Sequence, residues 1–211
     1  MYYDSLCDVM RNEMSSSSDQ IPTAEAANGL LSALEEQLRA AGHTFDLVVV
    51  GGSALLALDL VRRTTADIDV VALSEPGGLT SAVELPEGLI AARDRVARDL
   101  GVSLDWLNSG PAEMLRFGLP EGLEGRWTTK HYGPALTVRW ASRLDQIHFK
   151  LYAAVDQAGK HLRDLEALNP TRDDLIAAAL WARSHDPSAG FLAPLREALT
   201  YFGVRDADLG D

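Results

Sequence analysis

The sequence has few of the features that mark secreted or membrane proteins. It contains one cysteine among 211 residues, so no internal disulfide can form and nothing indicates an oxidising compartment. Its longest nearly apolar run, Leu47 to Leu58, is far shorter than the ~20 residues that span a bilayer. Asp4 and Asp8 stand where a signal peptide would need a basic start and then apolar residues. We therefore expect a soluble, cytoplasmic protein with no membrane partner.

Basic charge is also scarce. The chain has 19 Lys and Arg residues against 31 Asp and Glu residues, which gives a formal net charge of -12. This balance excludes a protein that coats nucleic acid in general, because bulk negative charge repels phosphate backbones. It does not exclude an enzyme that holds a nucleotide or an RNA through one local basic patch.

Several catalytic signatures are absent. The five histidines show no zinc-ligand spacing and there is no second cysteine, which argues against a zinc site. No nucleophile-elbow sequence supports Ser-His-Asp hydrolysis. The dinucleotide fingerprint G-x-G-x-x-G is missing as well.

The apolar and polar patterns divide the chain into three parts. Residues 1–22 lack apolar periodicity and end in a serine-rich stretch, which predicts a mobile N-terminal arm. Residues 23–142 alternate between helical and strand patterns, whereas residues 143–211 are helical throughout. The predicted fold class is therefore α/β (α+β), with a mixed sheet, flanking helices and a C-terminal helical subdomain.

The core pattern predicts individual elements. Thr23 is an N-cap signal for a helix that Gly42 ends, and Gly101 ends another helix that begins near Leu89. Glycines and prolines predict a loop over residues 74–89, and residues 126–140 indicate a hairpin. The remaining predicted elements of the core are strands at 45–50, 67–73 and 102–107 and a helix at 54–63. In the C-terminal subdomain, helices are predicted at about 143–158, 161–168, 171–185 and 191–202.

The stretch from Val48 to Leu73 carries the most chemical information. It reads as a strand, a glycine turn, a helix, a basic turn and a second strand. Gly51 and Gly52 allow a ligand to approach the backbone closely, and Ser53 opens a helix whose free amides attract phosphate.

Two carboxylates follow on the second strand. Asp67 and Asp69 are two residues apart, so their side chains project from the same face. Adjacent carboxylates repel each other unless a cation lies between them, and hard oxygen ligands of this kind suit Mg²⁺. Because Ile68 and Val70 have the pattern of core residues, the pair is expected at the rim of a buried sheet.

These motifs resemble a known superfamily. The glycine turn followed by an Asp-x-Asp strand is similar to the nucleotidyltransferase fold of the polymerase-beta superfamily. More narrowly, Gly51-Gly52-Ser53-Ala54-Leu55 and Arg63-x-Thr65-x-Asp67-Ile68-Asp69 resemble AbiEii-like and MenT-like toxins and related minimal nucleotidyltransferases.

A second, looser match lies further along the chain. Lys150-Leu151-x-Ala153 and Lys160-x-x-x-Asp164-Leu165 resemble the later lysine and Asp-Leu motif of the same family. Asp156 and His161 stand where an arginine and an aspartate are expected, which leaves the subfamily open. The two matches together span about residues 48 to 168.

The resemblance implies nucleotidyl transfer, in which a hydroxyl attacks the α-phosphate of a nucleoside triphosphate (NTP) and pyrophosphate leaves. Asp67 and Asp69 would hold Mg²⁺ or Mn²⁺, and Asp105, on the strand at 102–107, is the candidate for a third metal ligand or general base. The C-terminal helical subdomain would complete the active site through Lys150 and Asp164. Lys150 would neutralise the triphosphate, and Asp164 would orient Lys150 or bind metal.

The resemblance also assigns residues to the nucleotide. The amides of Gly51 and Gly52 and the hydroxyl of Ser53 would hold the β- and γ-phosphates. Arg63 is assigned to the nucleotide with them. Thr65 would either contact phosphate or cap the turn before the first carboxylate.

The acceptor is suggested by local charge. From Arg126 to Arg163 there are seven Lys or Arg residues against two Asp, a local balance of +5, with aromatic residues between them. An RNA end needs such residues for phosphate contact and base stacking, although core tryptophans and internally paired arginines would give the same pattern. With the resemblance, this predicts a toxin that modifies an RNA such as the tRNA 3′ end and has a cognate antitoxin. The alternatives are transfer to a small-molecule or protein hydroxyl, and a non-catalytic nucleotide-binding interaction protein.

Overall fold

A computed structural model describes residues 21–60, 64–156 and 158–209, apart from the side chains of 156 and 158–160. The chain forms two compact units. One comprises the described residues up to Leu115 together with Trp127–Ala141, and the other comprises Arg116–Arg126 and the described residues from Ser142 onward. Of the predicted N-terminal arm, only Ile21 and Pro22 fall within the described residues, and Ile21 is buried.

The first unit begins with α1 (Ala24–Ala41), whose ends follow the predicted signals. The Thr23 hydroxyl accepts a hydrogen bond from the Ala26 amide at 3.2 Å. At the other end Gly42 adopts a left-handed conformation with φ of 73°, which glycine takes at little cost. Between these caps the apolar side chains lie on one face and are buried in the core, among them Leu30, Leu31, Leu34 and Leu38.

A mixed sheet forms the centre of this unit. Its strands are β1 (Phe45–Val50), β2 (Ile68–Glu75), β3 (Gly78–Ser81), β4 (Leu107–Asn108), β5 (Thr128–His131) and β6 (Leu136–Trp140). The order across the sheet is β3-β2-β1-β6-β5, and β4 also pairs with β2. β1 runs antiparallel to β2 and parallel to β6, and β5 and β6 are antiparallel, as the hairpin pattern predicts.

The helical elements of the first unit are short apart from α1 and one other. Besides α1 they are α2 (Gly51–Ala57), α3 (Glu87–Leu100) and a 3-10 turn at Leu104–Trp106. A further 3-10 segment at Gly110–Phe117 begins in this unit and ends in the second, and one at Leu123–Gly125 belongs to the second unit. The mixed sheet with flanking helices confirms the predicted fold class.

Two element predictions need correction near the glycine turn. The helix predicted at 54–63 is α2, which ends at Ala57 because Asp59 turns into the left-handed region with φ of 55°. The loop predicted at 74–89 contains a tight hairpin, since Pro76 and Gly77 form a two-residue turn between the paired residues Glu75 and Gly78.

The strand predicted at 102–107 is also wrong. The Ser103 hydroxyl accepts a hydrogen bond from the Asp105 amide at 3.2 Å and starts the 3-10 turn. Trp106 is buried, and its indole nitrogen donates to the Arg93 carbonyl at 3.2 Å. Strand pairing begins only at Leu107, so the strand is two residues long and starts after Asp105.

Among its described residues the second unit contains four α-helices, as predicted: α4 (Arg143–Asp156), α5 (Ala158–Ala167), α6 (Arg172–His185) and α7 (Ala189–Tyr201). Thr171 and Asp174 form a reciprocal capping box at the start of α6. The rings of Phe149 and Tyr152 pack edge-on against Trp181 at centroid distances of 5.5 and 6.0 Å, which ties α4 to α6.

None of the helices described is both long and apolar enough to cross a membrane.

Candidate active site

The glycine turn and the second carboxylate meet where β1 ends. Val50 is the last residue of β1 and pairs with Asp69 of β2, so the residue after Val50 lies beside that aspartate. This residue is Gly51, whose φ is 79°. A Cβ at Gly51 would lie 2.3 Å from Asp69 Oδ2, closer than any real contact. The backbone conformation therefore favours glycine here, and the Asp69 carboxylate occupies the space that a side chain at this position would take.

The first carboxylate is held by a residue that the sequence did not single out. Asp67 lies one residue before β2, and its Oδ2 accepts a hydrogen bond from Asn108 Nδ2 at 3.1 Å. Asn108 lies on β4, where it pairs with Asp69. The available signal was a polar side chain directly after the apolar pair Trp106-Leu107. Asp67, Asp69 and Asn108 are all half-buried.

Asp105 is placed differently from its prediction. It lies on the 3-10 turn rather than on a strand, and it is exposed. Among the residues that the structure describes, no three His, Cys, Asp or Glu side chains come together as a metal-binding group. The Asp105 carboxylate is thus not grouped with those of Asp67 and Asp69, and the Asp105 main-chain carbonyl lies 3.5 Å from Asn108 Nδ2.

The residues assigned to phosphate have varied surroundings. Gly52 and Ser53 lie in α2 and are buried, and the Ser53 hydroxyl has no hydrogen-bond partner. Thr65 is buried as well, forms a backbone bridge with Ile21, and donates from its hydroxyl to the Asp67 carbonyl at 3.4 Å. This contact agrees with the alternative in which Thr65 caps the turn before the first carboxylate. Arg63 lies outside the described residues.

The donor set fits a hard divalent cation. Two half-buried carboxylates on one rim of the sheet supply oxygen ligands of the kind that Mg²⁺ and Mn²⁺ prefer. The Asn108 N–H lowers the cost of the charge on Asp67, and the glycine at position 51 leaves room for Asp69. A cation bound between the two carboxylates would offset their mutual repulsion.

Lys150 and Asp164 belong to the second unit and form an ion pair. Lys150 Nζ, on α4, lies 2.8 Å from Asp164 Oδ2, on α5. The Lys150 side chain is 6 % exposed and that of Asp164 is 2 % exposed. A charged pair this deeply buried needs both partners, because removing one leaves an uncompensated charge.

Most basic residues of the segment from Arg126 to Arg163, here called the basic segment, contact other groups of the same chain. Arg139 makes two hydrogen bonds to Asp46, at 2.8 and 2.6 Å, and its guanidinium lies 4.6 Å from the centre of the Trp127 ring. Arg126 pairs with the fully buried Asp145. Three more basic residues of the segment have partners: Lys130 donates a hydrogen bond to Asn28, Arg143 pairs with Asp174, and Lys150 pairs with Asp164. Trp140 is buried in the core. These contacts match the structural explanation for the pattern, in which the charges satisfy the protein's own acids.

Comparison with known proteins identifies a family that matches this chain. A family model described as "Nucleotidyltransferase of unknown function (DUF6036)" matches residues 29–165. No curated protein and no solved structure matches the chain. The matched region includes the glycine turn, both carboxylates, Asn108, Lys150 and Asp164.

Proposed function

Because this chain belongs to the DUF6036 family of nucleotidyltransferases, we propose that it transfers a nucleoside monophosphate from an NTP to an acceptor hydroxyl, using the Asp67–Asp69 pair. In this reaction the acceptor oxygen bonds to the α-phosphorus, and the bond from that phosphorus to the bridging oxygen breaks. Pyrophosphate leaves with the electron pair, and the proton of the acceptor passes to solvent.

One observation supports this assignment above the others. The Asp69 carboxylate lies against Gly51, in the space that a side chain would fill, at the junction of β1 and β2. The turn and the acidic pair are thus parts of one arrangement, which supports a shared chemical role.

The residues of this arrangement have distinct tasks. Asp67 and Asp69 would hold Mg²⁺ or Mn²⁺ together with the NTP. When bound, the cation supplies Lewis-acid stabilisation of the charge that develops on the phosphates. Gly51 leaves the space that the Asp69 carboxylate occupies, and the assignment of the Gly51 and Gly52 amides to the β- and γ-phosphates stays a prediction. The assignments of Ser53, Arg63 and Thr65 to phosphate stay predictions.

The roles of Lys150 and Asp164 also stay predictions. The buried ion pair supports the version in which Asp164 orients Lys150 rather than binding metal. The exposed position of Asp105 gives no support to a third metal ligand.

For the acceptor we propose an RNA, with the tRNA 3′ end as the first candidate, and a role as the toxin of a toxin–antitoxin pair. The resemblance to AbiEii-like and MenT-like toxins is the support for both. The basic segment adds less, since five of its basic residues already contact groups of the same chain.

The test is a matrix of labelled nucleotides against acceptors. Purified protein is incubated with Mg²⁺, each of four α-labelled NTPs, and tRNA, total RNA, aminoglycosides or cell protein. We expect label on tRNA from wild type and none from Asp67→Asn, whose side chain has the same shape without the charge. Label on a small molecule or a protein alone would replace the RNA assignment, and label that persists in Asp67→Asn would refute the site.

A further inference from the structure

The paired carboxylates have a neutral neighbour on the adjacent strand. β4 is only two residues long and runs parallel to the start of β2, with Leu107 opposite Ile68 and Asn108 opposite Asp69. Leu107 and Ile68 are completely buried. Neighbouring side chains at paired positions point to the same face, so Asn108 shares the face of Asp69.

The orientation of the Asn108 amide follows from its other partner. The Gly110 N–H, which can only donate, lies 2.8 Å from Asn108 Oδ1. The amide oxygen therefore faces Gly110, and the NH₂ group faces Asp67 Oδ2 at 3.1 Å. The short turn Asn108-Ser109-Gly110 thus fixes a donor against one carboxylate oxygen.

We propose that Asn108, rather than Asp105, is the third polar group of the site and acts as a positioning residue for Asp67. Its neutral amide adds no third negative charge to the two carboxylates. It restrains Asp67 Oδ2 by a hydrogen bond, so that Asp67 is held for a divalent cation before the cation arrives. This inference rests on the proposed function, and it concerns the orientation and charge of the site rather than the reaction.

The test uses Mn²⁺ alone as the probe, on the full chain without nucleotide, with binding followed by the paramagnetic resonance signal of free Mn²⁺. We expect Asn108→Ala to weaken Mn²⁺ binding about tenfold, as for other residues that orient a ligand. Asp105→Asn, three residues away, serves as the control and should stay within about twofold of wild type.

Asn108→Asp separates the positioning role from a role in the turn. Aspartate keeps the oxygen that accepts from the Gly110 N–H, so the turn is retained. It replaces the donor with a negative charge beside Asp67, so we expect a lower melting temperature in chelator and a larger Mn²⁺-induced rise than in wild type. A variant whose melting temperature responds to Mn²⁺ as wild type does would overturn the proposal.

The proposal is also overturned if Asn108→Ala binds Mn²⁺ like wild type, or if Asp105→Asn loses as much affinity. These results differ from a failure of the proposed function. In that case the wild-type protein itself would neither bind Mn²⁺ nor transfer label.

Discussion

Replacing Gly51 by alanine tests the close contact at the glycine turn. The residue has a φ of 79°, and a left-handed conformation costs a non-glycine residue about 1–2 kcal/mol. The new Cβ would also lie 2.3 Å from Asp69 Oδ2. This oxygen is at the end of a short side chain, so it swings aside at modest cost to stability. The displaced group is, however, the carboxylate proposed to hold the cation.

Gly42→Ala is a matched control for this substitution. Gly42 has a φ of 73°, and nothing lies within 4 Å of the position that its Cβ would take. We therefore expect both variants to lose a similar free energy of unfolding in urea, about 1–2 kcal/mol. Only Gly51→Ala should also lose function, with Mn²⁺ affinity falling about tenfold and transfer about a hundredfold.

The outcome separates two explanations of the glycine. If Gly51→Ala binds Mn²⁺ and transfers label as well as Gly42→Ala does, the glycine serves only the backbone turn. The proposed coupling between the turn and the acidic pair would then be refuted.

Two further predictions concern the second unit. Asp164→Ala should lower the free energy of unfolding by about 3–5 kcal/mol, because it leaves Lys150 buried and unpaired. The double variant Lys150→Met/Asp164→Leu should recover most of this loss. A double variant that is as unstable in urea as Asp164→Ala would contradict the prediction. Burial acts to raise the pKa of Asp174, but hydrogen bonds from Thr171 and the charge of Arg143 outweigh it and hold the pKa below its ordinary value. The stabilisation by Asp174 should therefore be complete above the ordinary pKa and lost as pH falls through the lowered pKa. Urea midpoints measured down to acid pH should show a smaller acid loss in Asp174→Asn than in wild type, and equal losses would contradict this.

Local signals in the sequence predicted much of the fold. Thr23 and Gly42 mark the two ends of α1, because a cap acts within a few residues of the helix end. The β-branched run before Gly51 predicts β1, and this signal is also local. The four C-terminal helices follow from periodicity and proline breaks. Such signals need no knowledge of distant contacts.

The features that the sequence did not predict, or predicted wrongly, depend mostly on contacts between distant residues. The hydrogen bond from Asn108 to Asp67 joins residues 41 positions apart, and no local pattern indicates it. Asp105 has the spacing expected of a strand residue, but Ser103 turns the chain and places Asp105 on the exposed side of the turn. The pairing of Arg139 with Asp46 likewise changes what the basic segment means, since charge counts cannot show which charges already have partners.

The central claim is that the chain transfers a nucleoside monophosphate at the Asp67–Asp69 pair. The most direct measurement compares parallel reactions that carry label on the α-phosphate or on the γ-phosphate of the same NTP, with wild type and Asp67→Asn. We expect wild type to transfer the α-label to the acceptor and to release the γ-label as pyrophosphate, and Asp67→Asn to do neither. Transfer of the γ-label to the acceptor, or equal transfer of the α-label by both proteins, would contradict the account.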